Sequence, residues 1–104
     1  MEYLISLGNI QNDPVNVNKI FARYHNIKGT KSADNGRIKE ALKEFNHAIE
    51  LYPAYSPAYF NRGTIRADLG DFEGAKADFN RAKELEASTI HKAGRSFTQS
   101  YSQV

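Results

Sequence analysis

The side chains able to do chemistry are few and scattered. The three histidines, His25, His47 and His91, have no second histidine or carboxylate at a recognised metal-ligand spacing. There is no cysteine, which excludes a disulfide framework, thiol catalysis, thiolate-bound zinc and iron–sulfur clusters. Glycines 29, 36, 63, 70 and 74 are spread along the chain and do not form a loop that could cradle a phosphate. No serine lies in a nucleophile motif. The expectation is therefore a chain without catalytic residues, cofactor or metal. His47 is expected on a solvated helix surface and His25 in a packing role.

The elements that position these residues follow from an internal duplication. Shifted by 34 residues, 22–55 aligns without gaps on 56–89, and eleven positions are identical: Gly29/Gly63, Thr30/Thr64, Ala33/Ala67, Asp34/Asp68, Gly36/Gly70, Ala41/Ala75, Phe45/Phe79, Asn46/Asn80, Ala48/Ala82, Glu50/Glu84 and Leu51/Leu85. Chance would give about two. The matches fall on glycine, alanine, phenylalanine and leucine, the residue types that govern close packing. In the second copy Ser56-Pro57 predicts an N-cap followed by proline in the first turn, and Gly70-Asp71 predicts a stop followed by a new cap. Tyr59, Phe60, Gly63 and Ala67, then Phe72, Ala75, Phe79, Ala82 and Leu85, recur at helical spacing. The first copy predicts a turn at Asp34-Asn35-Gly36 and a helix from about Arg37 to Leu51. Its first helix is expected to start early, at Asp13-Pro14, and to run to about Ala33. Gly29 with Ala41, and Gly63 with Ala75, should let the helices of each pair approach closely, with the phenylalanines filling the space between pairs.

A 34-residue helix–turn–helix unit with this series of small and aromatic positions resembles the tetratricopeptide repeat. The resemblance rests on Tyr59, Gly63, Gly70, Phe72, Ala75, Phe79 and Ala82 in the second copy, and on Gly29, Gly36, Ile38, Ala41, Phe45, Ala48 and Pro53 in the first. It departs at His25, where an aromatic or leucine is usual, and at Ala87, where proline is usual. The implied fold is all-α: an antiparallel helix-pair solenoid of two repeats, 22–55 and 56–89, with an N-terminal flank over 1–21 and a C-terminal capping helix and tail over 90–104. Ser88, Ile90, Ala93, Gly94, Phe97 and Tyr101 carry the amphipathic pattern expected of that cap.

The resemblance further implies a concave face, lined by the first helix of each repeat, that accepts a peptide or a partner's helix. Carried over by position, it would hold Arg23, Asn26, Thr30, Ala33 and Asp34 with Phe60, Asn61, Thr64, Ala67 and Asp68. Phe60 is the expected anchor. Relatives that clamp acidic chaperone tails use basic residues where this chain has Asn26 and Phe60, so that specificity is not expected.

Two repeats are fewer than the three that usually make a stable stack. The flanks or self-association must supply the rest. Residues 3–10 could pack on the first repeat or complete another subunit, so two functions stand side by side: a noncatalytic adaptor or scaffold, and a self-associating homodimer whose groove or ends are filled by its own termini.

Charge favours neither. The chain carries 14 basic and 12 acidic side chains, a formal net charge of +2, too balanced for an electrostatic footprint on nucleic acid. Arg23, Lys28, Lys31, Arg37, Lys39 and Lys43 cluster modestly, with no stacking platform beside them. The mixed charges Lys39, Glu40, Lys43, Glu44, Asp78 and Arg81 are expected on a solvated outer face with weak ion pairs. Residues 1–10 lack the basic start of a signal peptide, and no apolar run is long enough to span a membrane. A cytoplasmic location is the default expectation.

Overall fold

A computed structural model describes residues 14–93, which form four helices: α1 (Pro14–Asp34), α2 (Ile38–Leu51), α3 (Ser56–Asp68) and α4 (Phe72–Ala93). Three- and four-residue connections force consecutive helices to pack antiparallel. α1 lies on α2 and α3 on α4, while α3 also rests on α2 and, less extensively, on α1. The described part of the chain is an all-α helical repeat solenoid.

The two copies turn in the same way. At the end of α1, Arg37 N–H donates to Ser32 O at 2.8 Å and Gly36 N–H to Ala33 O at 3.0 Å; at the end of α3, Asp71 and Gly70 repeat this pattern with Arg66 and Ala67. This double closure requires a left-handed residue, which Gly36 and Gly70 supply at φ 79° and 88°. Asp71 then caps α4 by accepting the Gly74 N–H at 3.0 Å.

Alanines and one phenylalanine make the core. Ala22, Ala48 and Ala58 meet where three helices converge, with Ile49, Leu51, Tyr52 and Tyr55 around them. Ala41, Phe45 and Ile65 form a second cluster with Ala33, Ile38 and Leu42. The phenylalanines do not chiefly fill the space between repeats. Phe45 lies over Gly29 and Phe79 over Gly63, each within its own repeat, and a Cβ on Gly63 would sit 2.8 Å from the Phe79 ring. Phe45 alone of the two also meets the next repeat, at Ile65.

Two boundaries differ from expectation. Ser56 is not the cap of α3: Tyr55 holds that position in extended backbone without a side-chain cap bond, and Ser56 is already helical. The Tyr55 N–H bond to Tyr52 O, at 3.0 Å, turns the chain into the helix one residue early. At the other end α4 runs through Ser88 to Ala93 without a break. Ser88 therefore starts no new helix; no glycine or proline interrupts 86–93 to release one. The remainder of the expected C-terminal cap, the Asp13 cap and residues 3–10 lie outside the described residues.

Candidate functional site

α1 and α3 lie side by side and together carry the residues expected to form the docking face. Asn61 Nδ2 donates to Asn26 Oδ1 at 2.9 Å, bridging the two helices. Asn26 is only 9% exposed, so this amide pair acts as the floor that fixes the spacing of α1 and α3. The Thr30 and Thr64 hydroxyls donate to the carbonyls of Asn26 and Phe60 in their own helices, at 3.0 and 3.1 Å. Both threonines remain exposed, as do Arg23, Asp34 and Asp68. Ala33 and Ala67 are half-buried.

Phe60 stands apart. Its ring is 56% exposed yet held against Phe79, with centroids 5.4 Å apart and planes tilted by 52°. Its neighbour Tyr59 turns away and donates its hydroxyl to Pro53 O at 2.8 Å. An aromatic ring presented to solvent while braced from behind can bury area on a partner at small entropic cost.

The charged residues of α2 and α4 do not form only a solvated outer face. Asp78 is 3% exposed. It accepts Arg62 Nη2–H on Oδ1 at 2.8 Å, Arg62 Nε–H on Oδ2 at 2.9 Å and Arg66 Nη1–H on Oδ2 at 3.0 Å. Arg62 also donates to Asn46 Oδ1 at 2.8 Å, so one guanidinium ties α3 to α4 and to α2. Its hydrogen bonds to Asp78 push the Arg62 pKa up further, against the opposing effect of burial.

The first repeat carries the counterpart. Glu44, at the position of Asp78, lies 2.7 Å from His25 Nδ1 and 3.5 Å from Lys28 Nζ. The His25 hydrogen bond, helped by Lys28, holds its carboxyl below the usual range although burial opposes this. His47, exposed as expected, also stacks on His25 with centroids 4.0 Å apart. Residue-by-residue inspection of charge runs misses these clusters. The signal was in the 34-residue register, where Lys28 aligns with Arg62 and Glu44 with Asp78.

No set of three histidine, aspartate or glutamate side chains among the described residues is arranged to hold a metal. A cleft of about 460 Å³ beside α2 is lined by Lys39, Glu40, Lys43, Glu44 and His47; it is open and charged, unlike the apolar enclosures that hold small ligands. No described helix is long and apolar enough to cross a membrane. What this geometry defines is a stack of helix pairs with one ordered, partly aromatic face.

The chain belongs to the tetratricopeptide repeat family. Two models of that family match, over residues 22–55 and 44–77. An uncharacterized protein of Methanocaldococcus jannaschii is 38% identical over 71 residues, covering 68% of this chain and 83% of that protein. Tetratricopeptide repeat protein 36 of Mus musculus is 38% identical over 74 residues, 71% of this chain and 40% of its own length. The human protein of the same name is 38% identical over 73 residues, 70% and 39% respectively. The chain thus spans most of the archaeal relative but about two fifths of the mammalian ones. No solved structure matches it. Tetratricopeptide repeat domains generally mediate protein–protein interaction.

Proposed function

We propose that the protein is a noncatalytic interaction module, an adaptor or assembly scaffold, that takes a peptide or helix of a partner protein across the α1/α3 face. The observation that carries this is Phe60, exposed but stacked on Phe79. Arg23, Thr30, Thr64, Asp34 and Asp68 lie exposed on the same two helices and would orient the bound chain through hydrogen bonds and charge. Asn26 and Asn61, already bonded to each other, would set the width of the site and contribute only their remaining amide groups.

The test is selection of peptides from a random library against the intact chain, followed by affinity measurement on Phe60→Ala. Loss of a central aromatic anchor costs about 2 kcal/mol, roughly 30-fold in Kd. Helicity and the melting midpoint should stay nearly unchanged, because the ring is mostly in solvent. Peptides that bind Phe60→Ala as tightly as the parent would move the site elsewhere.

A further inference from the structure

The two ends of the helix stack are unlike. α3 joins the preceding pair through Ala58, Asn61, Arg62 and Ile65. Ala58 meets Ala22 and Ala48, Ile65 meets Ala41 and Phe45, and Asn61 and Arg62 bond Asn26 and Asn46. In the 34-residue register the same positions on α1 are Tyr24, Ile27, Lys28 and Lys31. Tyr24 is 55% exposed, Ile20 one turn earlier is 65% exposed, and Val17, Phe21 and Ile27 are exposed with them. The spacing 17, 20, 24, 27 keeps one side of the helix. α1 therefore presents an apolar stacking face on which no described helix lies. At the far end, the positions of Leu42, Ile49 and Tyr52, which pack inward in the first repeat, hold Lys76, Lys83 and Glu86 in the second, all exposed. Phe72, at the position of Ile38, is the exception and is 71% exposed, so that end sets one apolar ring among charges.

We propose that residues 3–10 of this chain fold back antiparallel across the Val17–Ile27 face of α1 and close the stack. Composition selects them. They bring Tyr3, Leu4, Ile5, Leu7 and Ile10, and residues 1–13 carry Glu2 and Asp13 with no lysine or arginine. α1 carries Lys19, Arg23, Lys28 and Lys31 against Asp34 alone. Residues 94–104 carry Arg95 and no acid, so they would add like charge. Reach also fits. Residues 11–13 make a connection of ordinary length, and eight residues span about 12 Å as a helix, close to the rise from Val17 to Tyr24.

A second copy fits less well. Stacking in the manner of α3 on α2 depends on Ala58, which is completely buried; Tyr24 in its place blocks so close an approach. The far end offers that approach only Phe72 among Lys76, Lys83 and Glu86, and an α1–α1 pair would set Lys28 and Lys31 against their own copies. The closure goes beyond the docking function and does not depend on what the α1/α3 face binds.

Because the chain has no cysteine, a Leu7→Cys/Ile20→Cys pair in the full chain is a clean reporter. Oxidation at about 10 µM should give an internal disulfide, seen as a monomer of intact mass two hydrogens lighter with faster non-reducing mobility. Leu7→Cys/Lys83→Cys should give none. Separately, Leu7→Asp in the otherwise native chain should lower the melting midpoint by at least about 5 °C and raise binding of a hydrophobic dye several-fold. A disulfide-linked dimer, which a second copy or an exchanged arm would produce, would overturn the proposal. So would absence of a crosslink, or a Leu7→Asp variant that melts like the parent.

Discussion

Replacing Asp78 with alanine should destabilise the protein more than any other loss of a charged side chain among the described residues. The carboxylate accepts three N–H bonds from two guanidiniums while 3% exposed. Each hydrogen bond to a charged group contributes about 1.5–3 kcal/mol, and breaking a buried ion pair by removing one partner costs about 3–5 kcal/mol. Arg62 and Arg66 keep side-chain exposures of 17% and 31%, so water can partly replace the lost acceptor. The expected loss is therefore about 2–4 kcal/mol. For a domain of about a hundred residues each kcal/mol moves the midpoint by about 4–8 °C, so the melting midpoint should fall by at least about 8 °C. Urea unfolding followed by circular dichroism should show a lower midpoint at unchanged slope. The control is Glu84→Ala, which removes the exposed 3.3 Å pair with Arg81 and should cost no more than about 0.5 kcal/mol. A loss for Asp78→Ala no larger than this control would refute the argument that the Arg62–Asp78–Arg66 cluster clamps α3 to α4.

The other expectations are narrower. Gly63→Ala sets a Cβ 2.8 Å from the Phe79 ring and 3.1 Å from Asp78 Cβ; overpacking should cost about 1–3 kcal/mol in the same urea assay. Gly36→Ala meets nothing within 4 Å but sits at φ 79°, so it should lose only the left-handed backbone cost, about 1–2 kcal/mol. Because the folded-state pKa of Glu44 is depressed by His25 and Lys28, its contribution is complete above the ordinary glutamate value of about 4.3 and is lost as pH falls through the lowered folded value. Glu44→Gln should thus flatten the acid limb of a stability–pH curve; an unchanged limb would show that other carboxylates control it.

Much of the fold was legible because its information is local and repeated. Gly36 and Gly70 end helices through backbone that few other residues adopt, and Gly29 and Gly63 mark a close approach, although not that the phenylalanine ring of the same repeat makes it. The 34-residue register converts such local signals into a family. Boundaries were less legible: Ser56 and Ser88 both look like caps, but a cap forms only where the chain has left the helix, and at Ser88 nothing makes it leave.

The sequence by itself determined the helices, their pairing and the residue types on each face, since periodicity and turn chemistry act over a few residues. Tertiary structure decided which polar groups became partners. Asp78 and Arg81 read alike along α4, yet one lies beneath Arg62 and the other in solvent. Asn26 and Asn61 read as separate members of one face, and the fold bonds them to each other across 35 residues. Such choices depend on distances between helices, which no single segment encodes. The same holds for the apolar stripe of α1: its spacing is in the sequence, but only the packing of α3 on the preceding pair reveals that it occupies the positions of a stacking face.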